Sequence, residues 1–377
     1  MYLRAPTICL DCRYVGPRPS GIGSLVEALV DNLPALAPDW QFRLIRNPAI
    51  GRRLSSCANV TEVDCAASPN GPVSLLWLAR MVDLEGVDLF HAPANILPRG
   101  LGMRSVTTIH DTMWLTRPEL CNASAWGQIE RRFYGYGMRH ALANSAAILT
   151  VSAATRDDIR ALPVPAPPVT VTHPGIDAAF YPRTVTASDR ARLGMPAGAF
   201  VLTVGQFAPY KNHEGAIRAF AAAFGQRTEC DLVLIQRRGP AAGPLLELAR
   251  TLGIAGRVRF ARPDTAADMA LWYSAARALL HPSLCEGFGI PLAEAMACGC
   301  PIVTSNQSAM PEVVGDAALT ADPTDTHALA RALMRIADDG DLAATLAEKG
   351  RLRAQQFDRR TFARNTLAVY REVLEAD

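Results

Sequence analysis

Short apolar segments of strand length alternate with longer segments of helical length along this chain, and the series runs twice. A strand followed by a helix-length crossover returns to pair in parallel, so a chain of this kind folds into layered α/β domains. In the first series 7–10, 88–91, 105–109, 147–151 and 169–172 read as buried strands, with helices at 24–33 and 125–144. In the second, strands are expected at 200–205, 231–236, 258–261, 278–281 and 301–304, each leading towards a helical segment. Between the two series, 174–198 accumulates Pro, Gly and small polar residues and reads as an interdomain linker.

A chain of 377 residues is too long for one ordinary core and suits two. The net charge of +2 lacks the basic excess of a nucleic-acid binder. No run of about 18 apolar residues is present to span a bilayer, and the first residues lack a secretory leader, so a cytoplasmic location is expected. The nine cysteines are scattered and odd in number, without the paired CxxC spacing of a zinc site, and read as reduced structural thiols.

Ligands of open parallel sheets bind at the carboxyl ends of strands, which makes four loops the candidates for chemistry. Segment 283–299, SLCEGFGIPLAEAMACG, follows a strand and opens a helix, with Pro291 suited to the first turn. Gly287 and Gly289 permit close backbone approach, and the first N–H groups of the helix offer an anion site that suits a diphosphate. Glu286 and Glu294 flank one small volume, and carboxylates accept bonds from paired hydroxyls such as those of ribose and hexose. Taken alone, Glu294 would equally serve as an N-terminal charge on its helix.

Segment 204–212, VGQFAPYKN, carries Gly205, Gln206 and Lys211. Lysine is otherwise present in this chain only at Lys349, and its flexible point charge can follow a phosphate; a solvated lysine at a helix entrance is the plainer alternative. The loop with Gly21 and Gly23 suits a tight turn beside a ligand. It does not complete a GxGxxG fingerprint, because position 26 is Val26. His110 and Asp111, at the end of a strand, could position a hydroxyl or shuttle a proton, although such a pair is also common in structural roles.

The EGFG and EAMACG pieces with their E-x7-E spacing, together with VG…PYKN, resemble glycosyltransferase family 4. IHD, LTVSAATRDDI, THPGID and MPEVVGDAAL accompany them in family order, and the similarity runs from about residue 8 to 330. Within the family the chain is similar to bacterial enzymes that assemble surface polysaccharides, mannosyltransferases among them. The resemblance implies an α/β fold of the GT-B class, two Rossmann-like domains whose parallel sheets face an interdomain cleft. It divides the chain into an acceptor domain at 1–185, a nucleotide-sugar domain at 186–357, and a final helix at 358–377 that returns to the first domain.

The same resemblance implies transfer with retention of anomeric configuration, with no cofactor and no metal ion. It assigns Glu294 to the ribose hydroxyls, Glu286 to the transferred hexose, and the backbone of Gly287, Phe288 and Gly289 to the donor. Lys211, beside Gly205 and Gln206, would hold the diphosphate. His110 would approach the hexose, and the Gly21–Gly23 loop would close over it. Many relatives carry an arginine near this lysine. Gln206 and Tyr210 occupy those places here, so a second cation is expected from Arg237 or Arg238. By analogy the donor is GDP-mannose, with UDP-glucose or a UDP-N-acetylhexosamine next. The acceptor would be a lipid-linked oligosaccharide of exopolysaccharide or O-antigen synthesis. The helix with Arg131, Arg132, Phe133, Tyr134 and Arg139 is then a candidate for peripheral contact with the inner membrane.

Other classes fit less well. A dinucleotide oxidoreductase needs the full glycine fingerprint and a following acidic ribose ligand. A glycosidase flanks the scissile bond with two carboxyls, whereas these carboxylates accompany a lysine and a helix start, features that favour an anionic leaving group. A non-catalytic sugar-nucleotide-binding protein would keep the fold and lose the phosphate clamp.

Overall fold

The computed structural model describes residues 4–16, 20–122, 124–236 and 242–376. They form two compact units. One comprises Met1–Pro118, Ser124–Gly175 and Asp358–Asp377, the other Glu119–Ala123 and Ile176–Phe357.

The first unit is built on seven strands: β1 (Thr7–Asp11), β2 (Gln41–Arg46), β3 (Val60–Asp64), β4 (Leu89–Ala92), β5 (Arg104–Ile109), β6 (Ala147–Thr150) and β7 (Val169–Val171). All pair in parallel in the order β3-β2-β1-β4-β5-β6-β7. The central strands β4 and β6 are buried throughout, as expected when helices cover both faces of a parallel sheet. The last helix, Arg359–Glu375, belongs to this unit. Its Tyr370 hydroxyl meets His91 Nδ1 of β4 at 2.5 Å, and Arg104 of β5 donates to the carbonyl oxygens of Val373 and Leu374.

The second unit carries β8 (Ala199–Val204), β9 (Cys230–Ile235), β10 (Val258–Ala261), β11 (Ala278–His281), β12 (Ile302–Ser305) and β13 (Leu319–Ala321). They too are parallel, in the order β10-β9-β8-β11-β12-β13. Ile217, Phe220 and Phe224 of the helix after β8 pack with Leu329, Leu333 and Ile336 of the helix Thr326–Asp338 to form its core.

Three strands lie where no strand was expected. β2 and β3 interleave arginines and acids with apolar residues, and β13 has three residues; β3 and β13 are also edge strands, which need less apolar character. The unit boundary falls at Gly175/Ile176, ahead of the expected 185/186, and the expected linker is structured. Thr186 and Asp189 form a capping box that starts the helix Ala187–Leu193. Ile176 N–H donates to Phe357 O at 3.0 Å, and Arg183 N–H to Ser274 Oγ at 3.1 Å. Pro and Gly interrupted the strand–helix rhythm there without loosening the chain.

All nine cysteines are free thiols. Burial raises the Cys230 thiol to about 11 and the Cys298 thiol to about 12, and pushes Cys9 and Cys12 up as well, so they act as small apolar groups. Among the described residues no helix is long and apolar enough to cross a membrane.

Candidate functional site

In the second unit the sheet grows from β8 in both directions, towards β9 and β10 on one side and β11 to β13 on the other. That reversal opens a crevice at the carboxyl ends of β8 and β11, because the connections leaving them diverge. The loops leaving these two strands carry Lys211 and Glu286.

Local backbone chemistry fixes the lysine loop. Gly205 has φ 154°, and a Cβ there would lie 3.0 Å from Lys211 Cδ, so only glycine lets the lysine stem run against the backbone. Pro209–Lys211 form a single 3-10 turn, and Asn212 follows in the left-handed region at φ 53°. The Asn212 side chain accepts from Gly215 N–H and caps the helix His213–Phe224. Its Nδ2 donates to Pro282 O at 3.0 Å and Pro323 O at 2.9 Å, while Leu284 N–H donates to Tyr210 O at 2.7 Å. One asparagine thus fastens the β8 loop to the loops after β11 and β13.

Lys211 Nζ donates to Glu286 Oε1 at 2.7 Å, and both side chains are about nine-tenths buried. His281 Nε2 and Ser283 Oγ reach the same oxygen at 2.9 and 2.8 Å. Burial pushes the Glu286 carboxyl up, but the lysine charge and the histidine bond outweigh it and lower the carboxyl to about 2. The same burial holds His281 below its ordinary value, so a neutral imidazole donates to an ionised carboxylate. Ser308, after β12, donates from Oγ to Glu286 O at 2.7 Å and fixes the backbone. Lys211 Nζ also lies 5.2 Å from the centre of the Tyr210 ring, a cation–π contact.

Gly289, with φ 95°, is the N-cap of the helix Ile290–Ala297, and no side chain caps that helix. Gly287 precedes it in the loop. The Phe288 ring is buried edge-on against Phe357 at 5.2 Å, so only its backbone can serve a ligand. Glu294 lies one turn into the helix, where Tyr273 donates to its Oε2 at 2.9 Å. Gln206 donates from Nε2 to the Tyr210 hydroxyl at 3.2 Å, and its carbonyl accepts from His213 Nε2 at 3.1 Å. Arg237 and Arg238, the expected second cation, lie outside the described residues.

In the first unit the switch point lies between β1 and β4. His110 follows β5, donating from Nε2 to Pro93 O at 2.7 Å, and its backbone N–H donates to Asn95 Oδ1. Burial lowers its pKa, which leaves a neutral ring with Nδ1 as an acceptor. Gly21 and Gly23 do not form the expected loop. They are the first turn of the helix Gly21–Leu36, and Ser20 Oγ accepts from Gly23 N–H at 3.0 Å. Serine won as N-cap over the turn tendency of the glycines. The helix Ala125–Asn144 buries Met138, Ala141 and Leu142 and exposes Trp126, Ile129 and Tyr136.

Residues 24–180 match Glycosyltransferase Family 4, and residues 187–353 match Glycosyl transferases group 1. The O-antigen chain mannosyltransferase B of Escherichia coli is 30% identical over 289 residues, 75% of this chain and 74% of that protein. The chain belongs to glycosyltransferase family 4.

Other relatives of this family 4 glycosyltransferase include a D-inositol 3-phosphate glycosyltransferase of Streptomyces avermitilis, 34% identical over 55% of this chain and 47% of its own length. The fold is shared with sucrose-phosphate synthase from Thermosynechococcus elongatus, at TM-score 0.77 and 23% identity over 99% of this chain and 100% of that one. It is shared too with WaaG, a glycosyltransferase involved in lipopolysaccharide biosynthesis, at TM-score 0.76 and 17% identity over 96% and 99%. The protein is therefore a transferase of the GT-B class, with one Rossmann-like sheet in each unit.

Tyr273, His281 and Ser308 escaped the sequence reading of this candidate site, and Asn212 and Ser283 lay in its candidate segments without a role. His281 and Ser283 had a weak signal, a polar residue ending an otherwise apolar strand and a second one two residues on, just ahead of Glu286. Tyr273 and Ser308 had none, because their partners come from other elements.

Proposed function

We propose that this enzyme transfers a hexose, with retention of configuration, from a nucleoside diphosphate sugar to a hydroxyl of a lipid-linked oligosaccharide. The observation that carries the reading is the buried Lys211–Glu286 pair at the carboxyl ends of β8 and β11. Lys211, already desolvated, would turn its ammonium to the departing diphosphate, where charge grows as the glycosidic bond breaks. The uncapped start of the helix Ile290–Ala297, with the backbone from Gly287 to Gly289, would add N–H donors to the same phosphates. Gly205 and Gln206 would line the phosphate side, with Arg237 as a further cation. Glu286 would accept bonds from hexose hydroxyls, since the three donors described converge on one of its two oxygens. Glu294, held by Tyr273, would accept from the ribose hydroxyls.

His110 would accept a hydroxyl bond at Nδ1, a role that needs a neutral ring, and the turn at Gly21–Gly23 would lie beside the sugar. The acceptor hydroxyl attacks on the face the diphosphate leaves, and its proton passes to the leaving phosphate oxygen. That route requires no metal ion and no cofactor. Mannose is the sugar favoured by the likeness to O-antigen chain mannosyltransferase B, which also favours surface-polysaccharide assembly; GDP-mannose as its carrier and a place on the cytoplasmic face of the inner membrane complete the proposal.

A thermal-shift panel of GDP-mannose, UDP-glucose and UDP-N-acetylhexosamines tests the donor, because a ligand that binds only the folded state raises its melting point. GDP-mannose is expected to give the largest shift, undiminished by a chelator. A larger shift with a UDP-sugar overturns the mannosyl reading, and an inverted product anomer by NMR overturns the mechanism.

A further inference from the structure

The helix Ala125–Asn144 bears a cavity of about 290 Å³ that the donor chemistry does not use. Arg131, Arg132 and Arg139 line it, with Gln128 from the preceding turn. Gln128, Arg132, Gly135 and Arg139 recur at spacings of three and four residues, so their side chains share one helix face, and Arg131 borders it. Gly135 forms the floor. A Cβ there would lie 3.5 Å from Leu115 Cδ2, so the missing side chain is what leaves space between the helix and the turn Met113–Thr116. Trp114 of that turn walls the cavity and is held in place by stacking on Tyr134, with ring centres 4.8 Å apart.

Three exposed guanidiniums around one hollow repel one another, and among the described residues none of the three has a carboxylate partner. Elsewhere in the chain a cluster of charge is neutralised, as where Arg227 meets both Glu229 and Asp338 or Arg13 meets Asp11. Guanidiniums are forks matched to phosphate oxygens. The volume is at the low end for a ligand site, too small for a whole nucleotide sugar and adequate for a diphosphate. The turn that walls the cavity begins three residues after His110, the residue of this unit assigned to the sugar.

We infer that this cavity is an oxyanion site that holds the phosphate or diphosphate of an anionic acceptor. The inference rests on the proposed transfer reaction and gives its acceptor a chemical class, a saccharide carried on a phosphate ester.

The test is calorimetric titration of inorganic pyrophosphate into the full chain carrying Lys211→Ala, which weakens the competing donor site. Hydrogen exchange across 125–144 in the unsubstituted chain gives a local second readout. Saturable binding is expected, weakened at least tenfold by adding Arg132→Ala and Arg139→Ala, with pyrophosphate slowing exchange in that helix. Equal binding in the arginine variant, or no protection of the helix, overturns the inference. So does loss of flotation with anionic phosphatidylglycerol vesicles in a variant that still binds pyrophosphate, which would make the arginines a membrane contact. Sugar-nucleotide binding by the unsubstituted chain is read separately: its absence removes the proposed transfer reaction and leaves the oxyanion site standing.

Discussion

Lys211 and Glu286 are 75 residues apart in the chain, and their side chains form a 2.7 Å ion pair with exposures of only 10% and 9%. Such a pair adds little net stability, because removing both charges from water offsets most of their attraction. Its position at the carboxyl ends of β8 and β11 therefore points to chemistry. The pair keeps an ammonium and an ionised carboxylate desolvated, which the proposed function would use on the donor's phosphate and hydroxyl groups.

Breaking the pair from one side should be worse than removing both charges. Lys211→Met leaves a buried anion and is expected to lower unfolding free energy by about 3–5 kcal/mol, whereas Lys211→Met with Glu286→Gln should recover much of that loss. Transfer should fall by about 10²-fold or more in either protein. Urea unfolding and initial rates measure the two effects; strictly additive stability losses would show that the pair is not coupled.

Under the proposed function Tyr273 would act on the donor only through Glu294, to which its hydroxyl donates at 2.9 Å. Tyr273→Phe should raise donor KM by about 3–10-fold with kcat nearly unchanged, the pattern of a contact made equally in ground and transition states. A fall in kcat without a change in KM would place Glu294 at the reacting centre.

Asn212 combines a left-handed backbone, a helix cap and two bonds to carbonyl oxygens of other loops. Asn212→Ala should cost about 2–3 kcal/mol, a cap and interloop bonds of about 1 kcal/mol each. Asn212→Gly relieves the φ strain and keeps none of the side-chain bonds, so it should recover only a small part. Denaturant midpoints of the two variants decide this, and wild-type stability in Asn212→Gly would mean that backbone conformation alone mattered.

His213 is buried and neutral, its pKa lowered to about 4 by burial against the ordinary 6.5. As pH falls below 6.5 the unfolded chain takes the proton first, so this histidine's share of stability is complete above pH 6.5 and is lost as pH falls towards 4. His213→Gln should remove about one proton from the pH dependence of stability in that window, about 1.4 kcal/mol per pH unit. Urea midpoints between pH 4 and 7 measure it; an unchanged slope would mean the native ring accepts the proton.

The loops that hold the candidate residues were legible in the chain. Lys211 and Glu286 were marked because each sits in a loop between a strand and a helix, and Glu294 because it lies one turn into the helix that follows; local sequence decides that much. The tyrosine at 273 was not, because it reaches Glu294 from a different helix. Gly21 and Gly23 misled for a related reason. Glycines and prolines signal a turn, while the outcome depended on whether Ser20 could cap a helix that packs against the last helix, Arg359–Glu375.

The rhythm of apolar segments determined by itself that there would be two parallel α/β sheets, since strand length, helix length and crossover handedness are local properties. Strand order was not local. Only the assembled sheet put β11 beside β8 and so brought Lys211 to Glu286, with His281 and Ser283 on the same oxygen. The protonation of that cluster follows from the burial it shares. A sequence can place an ionisable residue in a loop, but its charge is set by the neighbours and the water that the tertiary fold leaves around it.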